Sequence, residues 1–316
     1  MKSRLAETWR RLQRLARPRA AEPLPVTLDR RRIYVLPTRF GLFVALLLAA
    51  MLLGALNYNN NPALLLALLL GATAVASTIG AHLQLSGLRV EAVSAEPVAA
   101  GTPLQVRLAL ARHDARPRRG LRIDHGEATQ FCDLAGERQA DPQLQVATVR
   151  RGWLDLDRIR ISTTQPLGLV RAWSWVWPEQ PLLVYPRAEH DGPPLPDGAG
   201  DARHSRLHAQ GEDLHQLRPY RAGDAPRAIA WKHSARRDSL LVREYERPVG
   251  TEIVLDWRSL APLGDEQRIA RLARWVDEAE RQGLRYRLRL PGQPPLGPGL
   301  GPQHRHACLR ALALLP

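Results

Sequence analysis

Two long apolar runs, residues 40–56 and 62–82, constrain the fold more than any other feature, because residues 41–81 contain no Asp, Glu, Lys or Arg. About 20 helical residues cross the ~30 Å hydrocarbon layer of a bilayer, and both runs are close to that length. The connector at residues 57–61 is short and uncharged. We therefore predict a transmembrane helical hairpin over residues 40–85. A buried hairpin of a soluble protein and a cleaved signal peptide both fit this pattern less well.

The distribution of charge predicts how this hairpin is oriented. Residues 1–40 hold 11 Lys or Arg against 3 Asp or Glu, a net charge of +8, within a chain whose net charge is +14. Basic residues beside membrane spans stay on the cytoplasmic side. We expect residues 1–39 to form a basic cytoplasmic arm, with an amphipathic helix or a simple solvated helix over residues 1–17. The remainder is nearly balanced in charge, which disfavours nucleic-acid binding.

The next region, residues 88–186, has the alternation of a β domain. Apolar and other residues alternate through residues 104–110, and Trp173, Trp175 and Trp177 form a row of period two. Glycine- and proline-containing turns recur at short intervals. We predict a small β-sandwich-like domain. The tryptophans are expected to pack in its core and sheets, and a peptide-binding ladder is the alternative.

The last third of the chain has a different pattern. Residues 187–210 are rich in proline, glycine and aspartate, which predicts an exposed linker. Later segments predict strand, helix, strand and helix in turn, over residues 252–257, 265–282, 284–290 and 306–315. This succession is typical of a piece of a doubly wound α/β sheet.

Between them lies a stretch dense in opposite charges, residues 211–248, with 8 Lys or Arg and 6 Asp or Glu. Gly223 and Asp224 followed by Pro226 predict a tight turn and then a helix over residues 225–236, capped by Asp224. An extended run is the alternative. A strand is expected over residues 240–245.

The ordered residues of this stretch resemble the signature of the domain-of-unknown-function 58 family, which comprises bacterial membrane-anchored proteins related to von Willebrand factor A domains. The residues that match are Arg218, Tyr220, Gly223, Asp224, Arg227, Ile229, Trp231, Ala235 and Arg236. The turn at residues 57–61 and the end of the β region at residues 184–186 are also similar to that family.

The resemblance implies a truncated α/β von Willebrand A-like fragment within residues 211–316 and a place in the bacterial inner membrane. It also implies partners: a MoxR-type AAA+ ATPase, other von Willebrand A proteins and a transglutaminase-like membrane protein. In von Willebrand A domains a D-x-S-x-S motif binds a divalent cation. Asp256 is retained here, but Arg258 and Leu260 replace the two serines, with Ser259 between them. We expect no metal and no cofactor at this remnant.

Two cysteines, Cys132 and Cys308, make no disulfide framework. His304, His306 and Cys308 have a spacing that could bind a soft metal, although such short spacings are usually structural.

The charged signature has two interpretations. In the first, Asp213 and Glu244 pair with Arg218, Arg227 and Arg236 and stabilise the fold. In the second, the arginines face an acidic partner, with Tyr220 and Trp231 as anchors.

The leading hypothesis is a non-catalytic adaptor tethered to the inner membrane. Two alternatives stay open. One is a hydrolase that uses Asp224 or Asp256 with His215 or His233. The other is a basic protein that binds lipid or nucleic acid.

Overall fold

A computed structural model describes residues 20–196 and 252–316, together with the main chain of three strands at residues 205–207, 213–219 and 241–248. The helix expected over residues 1–17 lies outside the described residues. The chain divides into two compact units, Met1–Tyr185 and Pro186–Pro316.

Two helices form the predicted hairpin in the first unit: α1 (Arg39–Asn57) and α2 (Asn61–Leu85). Thr38 caps α1 by accepting a hydrogen bond from the Gly41 N–H, and Asn60 caps α2 in the same way. Both helices are long and apolar enough to cross a membrane. Their side chains are mostly exposed, Leu46 for example to 72%.

The rest of the first unit is rich in β-strands, as the alternation predicts. The strands are β1 (Val26–Thr27), β2 (Tyr34–Pro37), β3 (Leu88–Ala95), β4 (Leu104–Arg112), β5 (Arg118–His125), β6 (Ala128–Leu134), β7 (Gln139–Ala140), β8 (Gln143–Val146), β9 (Gly152–Leu154), β10 (Ile159–Thr163), β11 (Val170–Val176) and β12 (Leu182–Val184).

Two five-stranded antiparallel sheets dominate this β-rich region. In the first sheet the order is β1-β3-β4-β7, with β8 also paired to β4, and in the second it is β2-β11-β10-β5-β6. Side chains of both sheets belong to one hydrophobic core, which includes Leu108 and Val90 from the first sheet and Ile123 and Ile161 from the second. Ala81 and Leu85 of α2 enter the same core.

The described part of the N-terminal arm differs from the expectation that residues 1–39 form a separate segment. Strand β1 pairs with β3 in the first sheet, and β2 pairs with β11 in the second. Leu28 and Ile33, which lie between these strands, are buried in the core. The chain therefore contributes one strand to each sheet before it enters α1.

The start of α1 is joined directly to the second sheet. The Thr38 main-chain N–H donates to the carbonyl of Leu169 over 2.8 Å, and its hydroxyl donates to Gly168 O over 2.6 Å. A side chain on Gly41 would overlap the carbonyl oxygen of Leu169, so this close approach requires glycine. No linker separates the helix from the sheet.

The end of α2 is held by one buried arginine. Arg118 is 1% exposed, and its guanidinium donates to the carbonyls of Leu83 and Ser86 and, over 2.8 Å, to the carboxylate of Asp114. Carbonyls in the last turn of a helix have no intrahelical partner, so Arg118 satisfies acceptors that would otherwise be buried unpaired.

The second unit contains two three-stranded sheets among the described residues. One is β13 (Ser205–Leu207), β15 (Leu241–Pro248) and β14 (Asp213–Pro219), in that order and antiparallel. The other is β16 (Ile253–Asp256), β17 (Tyr286–Arg289) and β18 (Leu296–Gly299), accompanied by helices α3 (Asp265–Arg281) and α4 (Pro302–Ala313).

The pairing of β16 with β17 is parallel, as expected for a β-α-β succession. Strand β18 was not expected, because its residues read as a Pro/Gly loop, and it runs antiparallel to β17. The last helix also begins four residues earlier than predicted, at Pro302, because proline suits the first helical turn.

Part of the expected linker packs on α3. Glu189 accepts two hydrogen bonds from Arg271, over 2.9 and 3.0 Å, and Trp275 donates from its indole to Pro193 O over 3.1 Å. This bidentate pair holds the pKa of Glu189 below its usual value. The first residues after Tyr185 therefore belong to the second unit rather than to an exposed linker.

Substituting Arg118→Ala tests how strongly the hairpin is joined to the β-rich region. The variant leaves two carbonyls near α2's end unpaired, which we expect to cost about 3 kcal/mol and to lower the melting temperature in detergent by about 6–12 °C. Thermal unfolding followed by circular dichroism measures this shift. Arg119→Ala is the matched control, because Arg119 is the exposed neighbour in the same strand. Equal melting temperatures for both variants would contradict the role of Arg118.

Candidate functional site

Most of the signature residues lie outside the described residues. The structure places Asp213 and Arg218 in β14, opposite Glu246 and Val242 of β15. His233 and the helix expected over residues 225–236 lie outside, as do the signature residues Tyr220, Gly223, Asp224, Arg227, Ile229, Trp231, Ala235 and Arg236.

The flanks of the signature stretch are paired strands. Strand β15 includes most of the strand expected over residues 240–245, whereas β14 was not predicted. The register of β14 shifts between Leu214 and Gln216. This irregularity interrupts the alternation of period two, so no simple strand pattern is visible there. The antiparallel pairing places the two ends of the signature stretch side by side.

Asp256 is the last residue of β16 and caps the short helical turn Trp257–Leu260 that follows it. Its side chain accepts a hydrogen bond from the Arg258 main-chain N–H over 2.9 Å, and the Ser259 hydroxyl donates to the Asp256 carbonyl over 2.6 Å. The charged neighbour of its carboxylate is Arg289 of β17, at 3.9 Å. The contact of Asp256 with Arg258 is therefore to the main chain and not to the guanidinium.

A histidine and a cysteine one turn apart on α4 come close together. His304 Nε2 lies 3.0 Å from the carbonyl of Tyr286 and 3.6 Å from Cys308 Sγ. A carbonyl only accepts, so Nε2 carries the hydrogen and cannot act as a base toward the thiol. Cys308 is fully buried, and burial with the nearby charge of Glu280 raises the pKa of its thiol to about 12. This pair is therefore structural.

Among the residues that the structure describes, no group of three or more His, Cys, Asp or Glu side chains could hold a metal ion. His304, His306 and Cys308 do not make such a group.

A surface of different character covers the outer side of the second sheet. Along β11 the side chains of Val170, Ala172 and Val176 belong to the core. Because side chains alternate across a strand, Trp173 and Trp175 lie on the opposite side. Trp173 and Trp175 thus pack on the sheet, on the side opposite the main core cluster, and Trp173 is buried there at 2% exposure.

Strand pairing aligns further residues with these tryptophans. Tyr34 of β2 lies beside Trp173, Arg160 of β10 beside Trp175, and Asp124 of β5 beside Arg160. We call this surface the arginine–tryptophan face and define it by the residues Tyr34, Arg122, Asp124, Phe131, Arg160, Arg171, Trp173 and Trp175.

Ring contacts connect its strands. They are Tyr34 stacked on Trp173 with centroids 5.9 Å apart, Arg160 at 5.8 Å from the Trp175 ring, and Arg122 at 5.9 Å from the Phe131 ring. Arginine lies favourably over aromatic rings because the ring face is negative.

One carboxylate is shared by two arginines on this face. Asp124 accepts from Arg122 Nε over 2.8 Å, from Arg160 Nη2 over 2.9 Å and from the Thr129 hydroxyl over 2.7 Å. Burial alone would raise the pKa of Asp124, but these hydrogen bonds outweigh it and hold that pKa below its usual value. The carboxylate therefore stays ionised with its acceptor sites occupied.

A third arginine, Arg171, is half-buried on the same face. Burial lowers its pKa, the positive charges of Arg160 and Arg122 lower it further, and Asp124 opposes them. Its guanidinium makes no hydrogen bond or ion pair with any residue that the structure describes. The face therefore has three arginines against one carboxylate, a net charge of +2.

Sequence reasoning found only the tryptophans of this face. Its arginines come from β5, β10 and β11, which are brought together by long-range pairing. The local signal was the alternation of Arg171 with Trp173 and Trp175 in β11.

The raised pKa values of both cysteines, of which Cys308 is buried and Cys132 partly buried, predict slow thiol chemistry. Burial and the adjacent Asp133 raise the pKa of Cys132 to about 11. The pKa of the Cys308 thiol is higher still. At pH 8 the thiolate of Cys132 should be about 100-fold scarcer than for a free cysteine. Titration with a disulfide reagent should show little reaction in native protein and two reactive thiols in denaturant. A Cys132→Ser variant isolates Cys308, and rapid reaction of its native form would contradict this prediction.

Comparisons with known proteins place no relative beside this chain: no family model, no curated protein and no solved structure matched it.

Proposed function

We propose that this protein is a non-catalytic scaffold held in a bacterial inner membrane by the hairpin of α1 and α2, with its β-sandwich and its von Willebrand A-like α/β fragment in the cytoplasm. The observation that carries the proposal is the exposed apolar hairpin joined without a linker to the β-rich region at Thr38 and Ser86.

The exposed side chains of the hairpin support the membrane assignment. The large apolar residues of α1 and α2 include Phe43, Leu46, Leu65 and Leu69, each more than half exposed. A soluble protein rarely exposes an apolar surface of this extent, whereas a bilayer covers it.

Charge supports the orientation. The basic residues of the arm precede α1, and the tip between the helices carries no charge. Basic flanks remain in the cytoplasm, so the asparagine-rich tip faces the other side. Because both ends of the hairpin join the same β-rich region, that region lies on the side of the basic arm.

The chemistry of the described polar residues favours binding over catalysis. Asp256 caps a turn. The thiol of Cys308 is buried, and its raised pKa keeps it protonated. A nucleophile for hydrolysis needs an adjacent base and access to substrate, and Cys308 has neither.

The proposed partner follows from the resemblance of residues 211–248 to the domain-of-unknown-function 58 family. It is a MoxR-type AAA+ ATPase, with other von Willebrand A proteins or a transglutaminase-like membrane protein in the same assembly. The parallel pair β16 and β17 with α3 between them supports a von Willebrand A-like fragment, while the antiparallel β18 is a departure from a wholly parallel sheet.

Single introduced cysteines test the orientation. We expect Tyr58→Cys, at the exposed tip, to react with a membrane-impermeant maleimide in intact spheroplasts. We expect Val149→Cys, exposed in the β-rich region, to react only after permeabilisation. Both are placed in a Cys132→Ser background. Labelling of Val149→Cys in intact spheroplasts would reverse the topology and remove the cytoplasmic scaffold.

Co-purification tests the partner. A MoxR-type ATPase, identified by mass spectrometry, should co-purify with the detergent-solubilised wild type and be lost from an Arg227→Glu, Arg236→Glu double variant. An Arg281→Glu, Arg285→Glu variant makes the same charge change at exposed positions of the same unit and should retain the ATPase. If Asp224→Asn instead abolished a hydrolytic turnover and left this binding intact, the enzyme alternative would replace the scaffold.

A further inference from the structure

The arginine–tryptophan face begins where the hairpin joins the sheet. The Leu169 carbonyl accepts from the Thr38 N–H at the start of α1, and Arg171 follows two residues later in β11. On the neighbouring strand, Leu36 is paired with Arg171 and precedes Thr38 by two residues. At about 3.4 Å per residue, the Arg171 main chain lies about 7 Å from the start of the apolar helix. This is the depth of the lipid headgroups beside a spanning helix.

The net positive charge of this position favours a bound anion. Arg171 is half-buried and makes no hydrogen bond or ion pair with the described residues, while the face has three arginines and one carboxylate. Asp124 makes no hydrogen bond to Arg171, because its carboxylate already accepts hydrogen bonds from Arg122, Arg160 and Thr129. A half-buried guanidinium without a hydrogen-bonded counter-charge is unfavourable, and a bound anion would relieve that cost.

A second unpaired donor lies beside it. Trp173 is 2% exposed, and its indole nitrogen has no hydrogen-bond partner among the described residues. It lies on the same face of β11 as Arg171. Buried indole N–H groups usually have an acceptor, so this one also lacks the group that it is suited to bind.

The aromatic neighbour favours a lipid over a soluble anion. Tyr34 is 40% exposed and stacks on Trp173, one pair farther along the face from the helix than Arg171. Tyrosine and tryptophan concentrate at membrane–water interfaces, where an apolar ring and a polar tip are both accommodated. A free phosphate would use only the donors, whereas a phospholipid would also use the ring.

We propose that Arg171 and the indole of Trp173 bind the phosphate of an anionic phospholipid in the leaflet next to the β-rich region, with Arg122 and Arg160 supplying the excess positive charge. The proposal rests on the membrane tether of the proposed function. A net charge of +2 selects an anionic headgroup over a zwitterionic one, and the guanidinium fork suits phosphate oxygens.

The test uses the full chain, delipidated in detergent and titrated with a short-chain phosphatidylglycerol, with the matching phosphatidylcholine and with inorganic phosphate. Bound lipid is counted by native mass spectrometry. We expect phosphatidylglycerol to bind best and Arg171→Gln to weaken it at least tenfold, as loss of a charge-assisted hydrogen bond does. Arg107→Gln, the same change at an exposed position of the first sheet, should leave binding within about twofold of wild type.

Two further variants separate binding from folding. Arg171→Lys keeps the charge and should retain most of the preference for phosphatidylglycerol. Trp173→Phe keeps an aromatic ring and removes the N–H, and should weaken binding several-fold; because Trp173 is buried, the smaller ring should also lower the melting temperature, so Arg171→Lys is the variant that controls for folding. Equal affinity of all three Arg171 forms overturns the proposal, and so does equal binding of inorganic phosphate and phosphatidylglycerol.

Reconstitution into nanodiscs tests the membrane tether and the lipid site separately. If the wild type fails to insert into phosphatidylglycerol-containing nanodiscs, the membrane tether itself is overturned and the lipid site with it. If it inserts but shows no headgroup preference that depends on Arg171, only the lipid site is overturned.

Discussion

The guanidinium of Arg118 bound to the last carbonyls of α2 is the interaction on which the arrangement of the first unit depends. Leu83 and Ser86 lie partly buried where the helix meets a packed core, and Arg118 gives both carbonyls a hydrogen-bond donor. Arginine can satisfy both at once, because its donors form a rigid fork, and its charge is favourable at a helix C-terminus. Asp114 balances the charge at the open side of the site. A lysine could not bridge both carbonyls.

Thr38 makes the matching connection at the start of α1. Its side chain caps the helix and binds the turn before β11, and β2 places it there by pairing with β11. With both ends fixed, the hairpin and the two sheets are one body rather than a domain on a flexible tether. A partner that docks on this body would meet it in a fixed orientation to the hairpin, which lowers the entropy lost on binding.

The parts of the fold that could be predicted were those with a local cause. The helices follow from the absence of charge over residues 41–81, and β4 from strict alternation. Strand β2 could not be found, because it is four residues long and its partner β11 lies far along the chain. In β14 the bulge after Leu214 hides the alternation. The row of tryptophans was visible in the sequence. The side of the sheet on which they lie was not, because it depends on Ala172 packing toward the first sheet. The only local signal of the arginine cluster was the alternation of Arg171 with Trp173 and Trp175, because three separate strands contribute the arginines.

The same strand register specifies the junction with the apolar helices and the charged face. Side chains alternate along β11, so a shift of one residue would turn Arg171 into the core and Ala172 outward. The hydrogen bond from Thr38 to Leu169 lies at the end of this pairing and opposes such a shift. A half-buried arginine is unfavourable by itself, yet here it is held by an apolar core on the other side of the sheet. The core thus stabilises a surface that would not form independently, and it does so where the chain enters the apolar helices. A lipid headgroup at that position would complete a charge arrangement that folding alone leaves unbalanced.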